Sequence, residues 1–211
     1  FCSFNAPLGD GAVDAGWIGL CFAQDESDAA YVPIRVGEGE LGVAAEDVAE
    51  ALDAVVGAGC LKPKPWFAVS AKALALAAGV FDTEFTLPVF DIEVAAFLVD
   101  PLTQRNLASI ASQFSLGAVP SWEDLAGRGA KQLAAPDVPI AALSDWAARQ
   151  VCAACALRPL LEERLEKDGL AALFGEVELP LTAVLAQMER VGVRVDEKKL
   201  KTLSKRYETK L

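Results

Sequence analysis

The sequence predicts an α/β fold, a mixed sheet flanked by helices, and three observations carry that prediction. Two apolar runs of strand length, residues 17–23 and 30–35, are separated by the polar run Gln24-Asp25-Glu26-Ser27-Asp28, which is the pattern of a β-hairpin. Beyond them, short apolar runs alternate with stretches whose apolar residues recur at helical spacing. Finally, 211 residues that are 53% hydrophobic and 23% charged can build a packed core, which excludes general disorder. Strands first, then strands alternating with helices, argue for a mixed sheet with helical cover.

The elements follow in order. Residues 1–4 are a short apolar start, and 7–16 are rich in turn formers. After the hairpin the period changes, and residues 43–56 place Val48, Leu52, Val55 and Val56 on one helical face, with Gly57 and Gly59 as the stop. Lys62-Pro63-Lys64-Pro65 is a stiff loop, because each proline fixes φ and biases the residue before it. Residues 66–69 read as a short buried strand. Ser70 is a fair N-cap for an Ala-rich helix through Ala78 that ends at Gly79. Residues 87–91 read as a strand, 92–99 as a helix closed by Asp100 and Pro101, and 106–114 and 122–126 as short helices. From 140 to about 167 runs a long helix with Leu143, Trp146, Ala147, Val151, Ala154, Leu157, Leu161 and Leu165 inward, which Pro159 must kink or break. After Gly169 the character shifts. Residues 176–190 form a helix whose apolar face is Leu181, Val184, Leu185 and Met188, ended by Gly192. Asp196 then caps a Lys-rich helix whose apolar stripe is Leu200, Leu203, Tyr207 and Leu211, too thin to bury much by itself.

Composition excludes several chemistries. The chain has no histidine, so Ser-His-Asp and Cys-His catalysis, His-ligated zinc and imidazole pH switching are all closed to it. The net charge of −11 is unevenly placed: residues 190–211 hold eight bases against three acids, and the preceding 189 residues carry 11 bases against 27 acids. A body that acidic repels polyanions, whereas the tail can approach a phosphate backbone. Five cysteines at irregular spacing read as a reduced, cytoplasmic protein. No run approaches 18 uninterrupted apolar residues and no basic-then-apolar leader opens the chain, so neither a membrane span nor a signal peptide is expected. Phe1 in place of methionine, and an end inside a helix, read as a piece of something longer.

The segment LLEERLEKDGLAALFGEVELPLTAVLAQMERVGVRVDEKKLK, residues 160–201, carries a resemblance. Its Glu178-x-Pro180-Leu181, followed by Met188-Glu189-x-x-Gly192-Val193-x-Val195-Asp196, closely resembles the junction of the bacterial DNA polymerase I family (family A) where the 3′–5′ exonuclease domain hands over to the polymerase domain. Upstream, GWIGLCFA and AAYVPI look like the second and third strands of the exonuclease-like domain. Phe90, Asp91, Leu98, Asp100 and Pro101 match a helix ending in Leu-x-Asp-Pro, and Trp146-Ala147-Ala148 sits where a Tyr-Ala-Ala triplet opens the last catalytic motif. The resemblance implies a ribonuclease-H-like exonuclease fold over residues 1–170 and the start of the polymerase domain, leading to the thumb, over 171–211.

Family exonucleases hydrolyse the terminal phosphodiester with two divalent ions about 4 Å apart, which need hard oxygen ligands. The resemblance assigns this work to four carboxylates and a water-orienting tyrosine. Here Cys2 and Phe4 stand at the Asp-x-Glu of the first motif. Ala71, or Ser70 with a one-residue shift, stands at the aspartate of the second, and Trp146 and Gln150 stand at the Tyr-x-x-x-Asp of the third. Neither Ala71 nor Ser70 can carry a negative charge at neutral pH, and all five expected ligands or orienters are absent, so no metal and no catalytic residue is expected on this chain. Phe81-Asp82-Thr83-Glu84 and Asp91-x-Glu93 repeat the first motif's letters, but the hairpin that should follow them lies before them; they read as solvated loop and helix-start charges.

Other features have plain readings. Cys152-x-x-Cys155 has redox or zinc spacing, but in mid-helix among alanines it reads as small core residues. Trp17, Trp66, Trp122 and Trp146 read as core packing, and Gly127-Arg128-Gly129-Ala130-Lys131 as a solvated turn. The basic helix is a solvated face or, by the resemblance, a route to duplex DNA through Lys198, Lys199, Lys201, Lys205 and Arg206, with sequence-independent contacts.

The leading expectation is therefore a monomeric, catalytically inactive exonuclease-like structural domain. Its partners are the polymerase domain of the same chain and, through the parent polymerase, DNA; no membrane is among them. The parent copies DNA in replication and repair with Mg²⁺ in a site that lies off this chain, so no cofactor is expected here. The rivals are an active exonuclease with displaced carboxylates and an unrelated cytosolic α/β interaction module.

Overall fold

The computed structural model describes residues 2–7, 17–23, 25–34, 42–56, 66–79, 86, 88–104 and 106–208. Five strands, β1 (Cys2–Pro7), β2 (Trp17–Ala23), β3 (Ala29–Pro33), β4 (Phe67–Ala68) and β5 (Phe90–Asp91), form one sheet in the order β3-β2-β1-β4-β5. Strands β1, β2 and β3 are successively antiparallel, and β4 and β5 run parallel to β1. The mixed sheet is thus present. Its centre is the opening strand, which the sequence marks only as a short apolar start.

The hairpin turn is fixed locally. Asp25 Oδ1 accepts from Ser27 N at 2.8 Å, Ser27 Oγ at 2.8 Å and Asp28 N at 3.0 Å, an aspartate-centred turn that reverses the chain between β2 and β3. Inside the hairpin Gly19 is required by a close approach, because a Cβ there would fall on the Tyr31 ring.

Strand alternation assigns side chains to two cores. Leu20, Trp66 and Ala68 join Val48 and Leu52 of α1 (Ala45–Val56) and Ala71 and Leu74 of α2 (Ala71–Gly79) on one side. Cys21, Phe67, Val69 and Phe90 join the other, larger core under α3 (Ile92–Val99), α4 (Leu107–Gln113) and α6 (Ile140–Lys167), with α5 (Trp122–Ala126) beside it. Helices cover both faces, so the sheet reads in sequence as short apolar runs.

Helix α6 buries every residue the sequence assigns to its inner face. It also runs without a break through Pro159, where the sequence predicts a kink or a break. The apolar positions on either side, Ala154, Leu157, Leu161 and Leu165, stay in register on the core, and that packing holds the helix across the missing N–H.

The C-terminal third departs further from expectation. A continuous helical segment begins earlier than predicted, with α7 (Ala171–Leu173), a π-helical stretch (Phe174–Glu178) and α8 (Leu179–Val191). Phe174 is buried with its ring 4.8 Å from that of Phe90. Helix α8 packs on α2 and buries Leu179, in the larger core, together with Thr182 and Ala186, while the predicted inner face of Leu181, Val184, Leu185 and Met188 is exposed. Lys72 Nζ on α2 meets Glu189 Oε1 on α8 at 2.6 Å. By length and composition the segment Ala171–Val191 could cross a membrane, although one of its faces lies against the protein. Finally α9 (Glu197–Glu208) is capped as predicted, with Lys199 N donating to Asp196 Oδ1 at 3.1 Å, and it buries no residue.

Candidate functional site

The positions assigned to the exonuclease motifs lie on adjoining elements. Cys2 pairs with Ala23 and Phe67, and Phe4 with Cys21, so both stand mid-sheet on the central strand. Ala71 opens α2 two residues after β4. Trp146 and Gln150 stand one turn apart on α6, which packs across β1, β2 and β3.

What Trp146 and Gln150 do is set by the loop before α5. Ser121 caps α5 in a reciprocal box: Asp124 N donates to Ser121 Oγ at 3.3 Å, and Asp124 Oδ2 accepts from Ser121 N at 2.9 Å and Ser121 Oγ at 2.8 Å. These bonds with Ser121 hold the Asp124 carboxyl below the usual carboxylate range. The box fixes the backbone at 120–121 and aims its carbonyls at α6. Trp146 Nε1 donates to Pro120 O at 3.0 Å and to Ser121 O at 3.2 Å, and Gln150 Nε2 donates to Pro120 O at 2.7 Å. The Trp122 and Trp146 rings meet edge-on with centroids 5.2 Å apart. Both polar groups are buried donors fastened to backbone oxygen, the arrangement that makes a buried polar side chain inexpensive.

These side chains do not suit a pair of divalent ions. A carboxamide nitrogen and an indole N–H are donors and cannot ligate a cation, the neutral Gln150 Oε1 brings no negative charge to one, and the Ala71 methyl offers no oxygen. Among the described residues no group of three or more Cys, Asp and Glu side chains is placed to hold a metal ion.

The one buried carboxylate among the described residues, Asp91, is neither a solvated helix-start charge nor free for chemistry. Its Oδ1 accepts from Val94 N at 2.9 Å and so caps α3, and its Oδ2 accepts from Ala71 N at 2.7 Å at the start of α2. Asp91 thus accepts from the first N–H of α2 and joins the N-termini of two helices whose dipoles favour negative charge. Burial pushes its carboxyl up to about 6, against the pull of the Val94, Ala71 and Glu93 N–H groups. An aspartate just before an apolar helix is a readable capping signal; its second bond, across 20 residues, is not. Asp82 and Glu84 lie outside the described residues.

The thiols have the wrong polarity for redox work. Among the described residues, no disulfide joins Cys21, Cys152 and Cys155. Burial pushes Cys21 up to about 12 and raises Cys152 as well, whereas a redox pair needs a lowered value. Cys155 packs at the edge of the larger core. The glycine turn keeps positive φ at Gly127 and Gly129, and Arg128 in it pairs with Glu123 at 2.7 Å. Trp66 is buried, with Nε1 donating to Thr86 Oγ1 at 3.2 Å. On α9, Lys198, Lys199, Lys201, Lys205 and Arg206 are all exposed, and Lys201 meets Glu197 at 3.4 Å.

No family model matches the chain. The chain is similar to DNA polymerase I of Bacillus subtilis, at 36% identity over 123 residues, covering 58% of this chain and 14% of that protein. It is similar to DNA polymerase I of Pseudomonas aeruginosa at 30% over 195 residues, covering 88% of this chain and 21% of that protein. It therefore spans only a small part of the length of these relatives. Among solved structures it resembles the POL domain of Pol1 from M. smegmatis in complex with DNA primer-template and dNTP, with a TM-score of 0.67 and 19% identity, covering 99% of this chain and 31% of that one. It also resembles Brucella melitensis NrnC, with a TM-score of 0.63, 18% identity and coverage of 92% and 87%. A nuclease in its apo form gives a TM-score of 0.64, 17% identity and the same coverage. At such identities these structures speak for the fold alone.

Proposed function

We propose, from the premise that this chain is a relative of the bacterial DNA polymerase I family (family A), that residues 1–170 are an exonuclease-like domain without proofreading chemistry and 171–211 open a polymerase domain. The sheet order, with an antiparallel β1–β3 meander and β4 and β5 parallel to β1, supports a ribonuclease-H-like reading of the first part. The parent would then be a cytoplasmic DNA-directed DNA polymerase, with its Mg²⁺ site elsewhere in the polypeptide. The present chain would act as a platform beside that site.

One observation carries the reading of lost chemistry. The indole and carboxamide at the third-motif positions are buried donors to Pro120 O, where a two-ion site would need an anionic oxygen and a water-orienting hydroxyl. An active exonuclease with displaced carboxylates would need other acids in the site, and the buried one, Asp91, is taken up by two helix starts. The test incubates the purified chain with a 5′-labelled single strand and Mg²⁺ or Mn²⁺. No shortening from the 3′ end is expected, and chelator-sensitive shortening would refute the reading.

DNA contact, in this proposal, falls to α9. Its Lys198, Lys199, Lys201, Lys205 and Arg206 would meet phosphates without sequence preference, with an affinity that declines steeply as salt rises.

A further inference from the structure

Cys152 and Cys155 stand one turn apart on α6. Val151 and Ala154 of the same turn are fully buried, whereas both thiol-bearing residues are partly exposed, so the sulfurs line an edge of the helix that solvent reaches. Residues three apart on a helix have Cβ atoms about 5–6 Å from each other, while a disulfide needs about 3.5–4.5 Å. The pair is too wide for a sulfur–sulfur bond in an undistorted helix, and no disulfide joins it. An ion between the sulfurs spans more, because it replaces one bond of about 2.05 Å by two of about 2.3 Å. Pro159 adds slack at this turn, since it has no N–H to give to the Cys155 carbonyl four residues back.

The surroundings favour positive charge. Burial raises the Cys152 thiol, and Cys155 and the hairpin carboxylates of Asp25 and Asp28 raise it further. Neighbours that disfavour a bare thiolate attract a cation to the same place. The flanking bases of α6, Arg149 and Arg158, are each paired with an acid, Asp145 and Glu162.

We propose that Cys152 and Cys155 form a two-coordinate site for a soft monovalent cation of the Cu(I) class. Zinc takes four ligands, and the chain has no histidine; among the described residues no third Cys, Asp or Glu completes a group. Cys21 of β2 is enclosed in the core. Soft thiolate donors select Cu(I), an ion that two sulfurs satisfy. Binding exchanges two S–H bonds for two metal–sulfur bonds: both protons pass to solvent, no electron moves, and the bridged pair carries a net charge of one negative unit. The bound ion ties together the turn of α6 that Pro159 loosens. The site does not depend on the polymerase reading, which stands or falls separately.

The purified protein, reduced and kept under nitrogen, is titrated with the Cu(I)–bicinchoninate complex, whose colour reports the copper left behind. One equivalent should pass to the protein. Cys152→Ser and Cys155→Ser should each weaken the transfer at least about 100-fold, since loss of a direct ligand exceeds the cost of an outer-shell change. Cys60→Ser should leave it unchanged. No transfer, or transfer that survives both α6 substitutions, would overturn the site. A second measurement on the unaltered protein stands in where a variant misfolds. Maleimide labelling read by peptide mass spectrometry should reach Cys152 and Cys155 without copper and slow at both together after one equivalent of Cu(I). Labelling of both at an unchanged rate, or of neither before copper is added, would also sink the proposal.

Discussion

Helices α6 and α8 both carry an apolar stripe at helical spacing, yet one stripe is closed and the other open. On α6, Leu143, Trp146, Ala147, Val151, Ala154, Leu157, Leu161 and Leu165 all lie in the larger core. On α8 the equivalent stripe of Leu181, Val184, Leu185 and Met188 faces solvent, and the helix is held instead by Leu179, Thr182 and Ala186. The difference teaches that periodicity announces a face to be covered without saying what covers it. For α6 the cover is the sheet of the same chain. The α8 stripe meets no such cover among the described residues.

The largest expected effect breaks the closed side. Leu157→Ala removes a side chain with 0% exposure and should destabilise the chain by about 2–5 kcal/mol in urea unfolding. Leu185→Ala, from the open stripe, should change the same midpoint by no more than about 0.5 kcal/mol. Comparable losses from the two substitutions would mean that the α8 stripe is buried after all.

Next comes the carboxylate beneath α2, the helix on which α8 rests. Asp91 holds its proton to about 6 in the folded chain against an ordinary value of 3.8, so between these values the native state binds more protons than the unfolded one. Its contribution is therefore full at the acid end of that window and lost as pH rises through about 6. The swing from this group amounts to at most about 3 kcal/mol. Urea midpoints at several pH values should show the slope, and Asp91→Asn should flatten it; a variant with the wild-type slope would deny Asp91 that role.

A smaller effect sharpens the reading of the third-motif positions. Gln150→Leu removes a donor and leaves Pro120 O to Trp146, which should cost about 1 kcal/mol in stability. Nuclease activity should not change, because none is expected. Smallest of all, Lys72→Met breaks the ion pair between α2 and α8, both of whose side chains are about two-fifths exposed, and should cost less than about 1 kcal/mol. A larger loss would mean that the ion pair, more than apolar burial, holds α8 to the body.

Much of the architecture was legible because local rules and tertiary packing agree. The hairpin, the run from Ile92 to Val99 with Asp91 before it, and the inner face of α6 all follow from spacing and capping. The central role of Cys2–Pro7 was not legible, since six residues cannot announce that strands on both sides will pair with them. At the candidate site, the assignment of Cys2, Phe4, Ala71 and Gln150 to carboxylate positions and of Trp146 to the tyrosine position is an expectation read from position in the sequence. What Trp146 and Gln150 bond to could not be read, because their shared acceptor is a backbone carbonyl 26 and 30 residues away.

By itself, then, the sequence determined what each segment is able to become: which runs are strands or helices, which chemistry is absent without histidine, and which kin it shares. Only the tertiary structure decided which faces are closed, that Pro159 leaves α6 intact, and that Asp91 serves two helices at once. The physical reason is range. Backbone propensity and capping act within a turn or two, whereas burial and shared hydrogen bonds are settled between residues that sequence distance keeps apart.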